Sequence, residues 1–232
     1  MAGEQAETQP RLVVPAYFHP AVHPDQWEWL ADHAPQVRLV ILNVASGPGN
    51  AADPVFRSVL DRLAGAGVPV AGYVDTNYAH RPAADALTEL GRYLDWYEVG
   101  GVCFDRVAAE ARQLRYYAAL SARAREMGAG VVLFNHGVHP DREYAEHADL
   151  VGTFEGPWPA YLRLAIPHWT RSRPAEMFYH VVYSVPTAHF GDAFTLAVRR
   201  RAASVYITDR DGPNPYDQLP NGGKPLTPWM DR

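Results

Sequence analysis

The chain has 232 residues, 47% of them hydrophobic and 20% charged, a composition for one large globular domain rather than a disordered or low-complexity segment. Its formal net charge of -5 offers no electrostatic footprint for nucleic acid or another polyanion. The single cysteine, Cys103, excludes an internal disulfide, and its apolar surroundings favour an inert buried thiol over a nucleophile.

Residues 1–10 read as a polar, flexible tail, and residues 11–232 as one domain. The tail has no basic or apolar signal region, and no apolar run approaches the roughly 18 residues of a membrane helix. A cytoplasmic protein without membrane contact is therefore expected, or a secreted one if a signal has been removed. Apolar runs follow at 11–18, 38–45, 68–75, 100–105, 130–135, 149–155, 178–185 and 204–209. Their near-continuous Val, Ile, Leu and aromatic content predicts parallel strands covered on both faces. Between them, Phe56, Val59, Leu60 and Leu63 share a helical face, as do Leu87, Leu90, Leu94 and Tyr97. Leu114, Tyr117, Leu120, Ala124 and Met127 repeat the spacing, and so do Phe190, Phe194, Ala197 and Val198. Glycines in AGAGVP and EMGAG mark two helix ends, and DREYAEHA (141–148) reads as a short fifth helix. Eight strands alternating with helices predict an α/β fold, a single-domain (β/α)8 TIM-type barrel. The rival is an open doubly wound sheet, but no GxGxxG or GxxxxGK[ST] follows the first strand.

Active sites of such barrels lie at the C-terminal strand ends. Read in order, those ends carry Tyr17 and His19, Asn43 and Ser46, Tyr73 and Asp75, Asp105, Asn135 and His136, Glu155, His180 and Tyr183, then Thr208 and Asp209. No HxH, HExxH or cysteine cluster supports a dedicated metal site, no cofactor motif is present, and there is no GxSxG elbow. Asp105 and Glu155 each follow a phenylalanine at a strand end. Two carboxylates facing each other across a barrel mouth suit acid/base or acid/nucleophile work on a glycosidic bond. Structural readings stand beside this one. Asp105 alternatively pairs with Arg106 or backbone amides, and Glu155 caps the next helix. Tyr17, Tyr73 and Tyr183 read equally as barrel packing, and the scattered histidines as core or surface residues. Arg81 is a neutralising neighbour for Asp75, Arg199–Arg201 is a solvated helix end, and Asp209 and Asp211 order the last loop.

Six segments carry a resemblance: VPAYFHP (14–20), LNVASGPG (42–49), GYVDTNYAHRP (72–82), GGVCFDR (100–106), TFEGPW (153–158) and YITDRDGPNPYDQLP (206–220). Together they resemble the spherulin-4-like (spherulation-specific family 4) proteins, related to glycoside hydrolases that cut galactosamine-containing polysaccharides. The resemblance implies a (β/α)8 barrel with a carbohydrate cleft at the strand C-termini. It implies catalytic acids at Asp105, in a motif like F-F-D-E, and at Glu155, in a motif like F-E. Asn43, Tyr73, Tyr78, Arg81 and Asn135 fall in neighbouring motifs as cleft residues, and Tyr17, Asp75, Arg106, His180, Tyr183 and Asp209 complete the candidate substrate-binding set. Two positions depart from the pattern. Arg106 replaces an expected Glu, which alters the substrate subsite or lowers the Asp105 pKa by proximity. Asp75 stands where a neutral residue is expected, as a substitute acid or as compensation for the arginine. The expected activity is that of a glycoside hydrolase acting on a small-molecule or oligosaccharide substrate. The alternatives are an intracellular biosynthetic enzyme that reuses the pocket for non-hydrolytic acid/base chemistry and a non-catalytic carbohydrate-binding homologue.

Overall fold

The apolar runs become strands β1 (Arg11–Ala16), β2 (Val37–Leu42), β3 (Val70–Asp75), β4 (Gly101–Asp105), β5 (Val131–Asn135), β6 (Leu150–Pro157), β7 (Phe178–Tyr183) and β8 (Ser204–Ile207). Each pairs in parallel with the next, and β8 pairs back onto β1, closing the barrel and leaving no sheet edge. The structure, a computed structural model, describes residues 9–223. The expected N-terminal tail lies outside the described residues except for Gln9 and Pro10, as do residues 224–232 of the domain.

Helices α1 (Pro24–Asp32), α2 (Val55–Gly65), α3 (Ala83–Tyr97) and α4 (Leu114–Glu126) follow β1 to β4. The four-residue α5 (Trp158–Tyr161) follows β6, and α6 (Phe190–Arg199) follows β7. Their apolar stripes bury Trp27, Phe56, Leu90, Tyr117 and Phe194 against the strands. The two glycine signals work as read. Gly67 (φ 74°) and Gly128 (φ 105°) let Val68 and Ala129 donate back to Leu63 and Ala124 in 6→1 bonds. The expected fifth helix is instead a 3-10 segment, Arg142–Glu146, capped by the Asp141 carboxylate on the Glu143 N–H. Five residues between that cap and the approach to β6 are too few for an α-helical nucleus to be worthwhile.

The Arg199–Arg201 run differs from its expected role. Arg200 donates to the carbonyls of Tyr161 and Leu162 and lies over the Tyr161 ring, while Arg201 donates to those of Thr170 and Arg173. The segment clips the α5 region onto the barrel because its cations find free carbonyls there.

Two features of the strands aim the barrel mouth. Gly72 faces α3 so closely that a Cβ would lie 2.4 Å from the Tyr93 ring. In β6 the register with β7 slips between Gly152 and Phe154: Gly152 pairs with Tyr179, Phe154 with His180 and Glu155 with Val181. Thr153 is the extra residue of a bulge. Strict alternation from Gly152 would turn Glu155 outward; the bulge turns Phe154 outward onto Tyr161 and Glu155 into the mouth.

The tight approach at β3 generates a test. Gly72→Ala should destabilise the fold by about 1–3 kcal/mol, the usual cost of overpacking a filled site, read as a lower denaturation midpoint. An unchanged midpoint would show that Tyr93 moves aside freely.

Candidate active site

Strands β3, β4, β5 and β6 deliver Tyr73, Asp105, Asn135 and Glu155 to one place. Asn135 Nδ2 donates to Asp105 Oδ1 at 2.8 Å and to Glu155 Oε2 at 2.5 Å. One amide nitrogen thus spans both carboxylates, so their facing oxygens are no more than about 5 Å apart. A tyrosine holds each outer oxygen: Tyr73 donates to Asp105 Oδ2 at 2.9 Å and Tyr216 to Glu155 Oε1 at 2.6 Å. Burial and the adjacent carboxylates push both phenols upward, so both remain protonated donors.

Tyr17 sets the spacing of the two phenols. Its ring packs edge-on against Tyr73 and against Tyr216, each at 5.4 Å between centroids. Asn43 stands beside this trio, its Oδ1 accepting from the Gly47 N–H, and lines with it a cavity of about 360 Å³. The carboxylates open into another cavity of about 420 Å³, shared with Tyr78, Arg106 and the 136–138 turn. The acid pair therefore stands between two openings.

Removal from water raises both carboxyls; the charge of Asp105 raises Glu155 further, and that of Asp75 raises Asp105 further. A pair held this way shares its proton more readily than two solvated acids would. Glu155 caps no helix; α5 begins without a side-chain cap.

Arg106 does not neutralise Asp105. Its Nε donates to Asp75 Oδ1 at 2.8 Å and its Nη2 to Asp75 Oδ2, a bidentate pair. The expected lowering of Asp105 is overturned because the guanidinium faces β3, so burial dominates and the carboxyl rises. Asp75 thereby serves as the counter-charge of the arginine and is held ionised by it. Arg81 likewise has another partner. It forms a two-nitrogen pair with Glu89 and touches only the backbone carbonyl of Asp75, so it braces the β3 end against α3.

Three other expected residues lie apart from the acids. His180 faces outward, sandwiched between the Tyr161 hydroxyl at 2.9 Å and Thr153 Oγ1 at 3.1 Å, because alternation along β7 puts Tyr179 and Tyr183 inward instead. Asp209 is exposed and accepts from the Asn221 N–H, ordering the last loop. Tyr183 shares the inward face of β7 and lies close enough to Tyr216 to affect its ionisation. Cys103 points into the barrel two residues below Asp105, 2% exposed, and burial keeps it a thiol.

Tyr216 was not singled out from the sequence although it lies in a quoted segment. Its signal is an aromatic flanked by turn residues in NPYDQLP, beyond the last strand, where loops complete a barrel mouth. Gly152 was missed too: a Cβ there would meet Asn135 Oδ1 at 2.4 Å, so glycine keeps room for the bridging amide. Among the described residues no group of three or more His, Cys, Asp or Glu side chains is arranged to hold a metal ion.

Because both acids are raised, each ionised form costs stability above its folded pKa, and the cost disappears below the unfolded value, where both states are protonated. Glu155→Gln should therefore melt higher than the parent at neutral pH, with the gain shrinking as pH falls towards about 4. A variant less stable than the parent at neutral pH would show that the ionised carboxylate stabilises the fold.

Known proteins resemble this chain over most of its length. The family described as spherulation-specific family 4 matches residues 11–227. Spherulin-4 of Physarum polycephalum is 28% identical over 213 residues, which cover 86% of this chain and 63% of that protein, so the chain spans less than two thirds of that relative. The crystal structure of Aspergillus clavatus Sph3 in complex with GalNAc superposes with a TM-score of 0.77 at 26% identity, covering 93% of this chain and 95% of that one. A chitinase from Rhizomucor miehei, at 10% identity and a TM-score of 0.54 over 79% of this chain and 92% of its own, shares the barrel alone. With the match spanning all eight strands, the chain belongs to the spherulation-specific family 4.

Proposed function

We propose that the protein is a glycoside hydrolase acting on N-acetylhexosamine-containing saccharides, with Glu155 as acid/base and Asp105 as nucleophile. The observation that carries this reading is the bridging of both carboxylates by the Asn135 amide at the barrel mouth. The GalNAc complex of Sph3 supports the ligand class. Facing oxygens no more than about 5 Å apart suit a retaining pair; an inverting pair needs about 6.5–9.5 Å to admit water between acid and base.

In this mechanism Glu155 gives its proton to the glycosidic oxygen as that bond breaks. Asp105 Oδ1 or Oδ2 bonds to the anomeric carbon, forming a glycosyl ester. A water then gives a proton to the Glu155 carboxylate and attacks the same carbon, releasing Asp105 and restoring the acid. Departure of the first product leaves Glu155 ionised beside an esterified Asp105. The loss of the neighbouring negative charge lowers its pKa, as the base role requires. Tyr73 and Asn135 orient the nucleophile, and Tyr216 orients the acid.

Asp105→Asn and Glu155→Gln should each lower kcat at least about a thousandfold while the fold persists, and Cys103→Ala should leave it near the parent value. Mass spectrometry of galactosamine- and galactose-containing oligosaccharides incubated with parent and variants reads the outcome. Equal cleavage by Glu155→Gln would refute the pair. Absence of cleavage by the folded parent would move the assignment to a binding protein or to acid/base chemistry on another small molecule.

A further inference from the structure

Tyr78 is held at the cleft rim by an unfavourable backbone. Three consecutive non-glycine residues, Asn77 (φ 44°), Tyr78 (φ 55°) and Ala79 (φ 67°), adopt the left-handed region. The surrounding contacts enforce this. The Tyr78 N–H donates to the Arg106 carbonyl at 2.7 Å, the Asn77 N–H to Asp75 Oδ1 at 2.8 Å, and buried Thr76 to the carbonyls of Asp105 and Arg106. The ring so positioned remains 49% exposed. Backbone strain that presents an aromatic ring to solvent beside a pair of acids points to use of that ring.

The ring stands at a junction. Tyr78, His136 and Val138 line the carboxylate cavity and also a second cavity of about 400 Å³ over residues 107–113. Val138, 54% exposed, adds an apolar side chain to the lining of both. The Arg106 guanidinium lies 5.8 Å from the Tyr78 ring centroid, and Asp75 balances its charge. His136 donates from Nδ1 to the Ala108 carbonyl, and burial lowers its pKa to about 3, so it is neutral. Its Nε2 has no hydrogen-bond partner among the described residues. Glu110 and Arg112, which also line the second cavity, carry opposite charges. The second cavity thus offers an exposed ring, with one carboxylate and one guanidinium that offset each other.

We propose that this cavity is a subsite for the next, uncharged pyranose unit of the saccharide held at Asp105 and Glu155, with Tyr78 as its stacking platform. The ligand class rests on the reading given under Proposed function. The new element is a second sugar position over residues 107–113, for which Tyr78 supplies the platform. Arg106 and Asp75 act there as positioning residues, backing one side of the ring.

Calorimetric titration of Glu155→Gln with N-acetylgalactosamine and with its tetrasaccharide tests the proposal. Tyr78→Asn removes the ring while keeping a residue that tolerates a left-handed backbone, and Tyr78→Phe keeps the ring. Both are placed in the Glu155→Gln background. Tyr78→Asn should bind the tetrasaccharide about fivefold to tenfold more weakly, the effect of one lost ring contact, and the monosaccharide as before. Tyr78→Phe should restore tetrasaccharide affinity. Equal tetrasaccharide binding by Tyr78→Asn, an equal loss for the monosaccharide, or no saccharide binding at all would overturn the subsite. Length-dependent, Tyr78-dependent binding by a parent that cleaves nothing would refute the hydrolase and keep the subsite. Cleavage with no dependence on Tyr78 would do the reverse.

Discussion

The Asn135 amide, shared between Asp105 and Glu155, is the contact on which the mouth of this barrel depends. Two carboxylates brought together out of water repel each other and lose hydration, and neither is neutralised by a cation. A primary amide answers both problems with one group, because its two N–H bonds diverge and each meets a different acid. The remaining oxygens are met by phenols whose spacing is set by Tyr17 between them. The arrangement uses neutral donors only. A guanidinium in the same place would drive both acids into their ionised forms, whereas neutral donors leave one of them able to keep a proton.

This network also explains the backbone irregularities around it. A bridging amide between β4 and β6 requires Glu155 to face inward, and regular alternation along β6 would not allow that. The bulge at Thr153 supplies the half-turn. It also frees Phe154 to pack outward on Tyr161 and lets Thr153 bond His180, so the misfit in the ladder is absorbed by a packed outer layer. Gly152, directly before the bulge, keeps space for the amide oxygen. Acid, bulge and glycine act as one unit, although only the acid carries chemistry.

The eight strands and their order were legible because parallel barrel strands are buried on both faces and read as apolar runs. The strand-end rule then turned Asp105, Asn135, Glu155 and Tyr73 into neighbours without any contact information. What could not be read was direction and partnership. His180 was a candidate because it lies near a strand end, but a period of two turns it away from Tyr179 and Tyr183, and sequence alone does not say which parity faces in. Tyr216 lies 61 residues from the acid it holds, and nothing in its own segment names that partner. Arg106 was judged by adjacency to Asp105, yet successive residues at a strand end point apart.

The arginine changes the charge balance at the β3 end of the site. In the β3–β4 register Asp75 lies opposite Asp105, so two carboxylates already face each other across the ladder before Arg106 is considered. Like charges directly opposed are unfavourable. Arg106, with φ 48°, turns back over the ladder and closes on Asp75. The pair takes one negative charge out of the mouth and leaves Asp105 and Glu155 as its acids. An acidic residue at position 106 would leave Asp75 unpaired, and an arginine without Asp75 would bring an uncompensated cation to the rim and favour ionisation of both acids. Arg106 and Asp75 are therefore a single electrostatic exchange, made on the rim beside the acid pair and not within it.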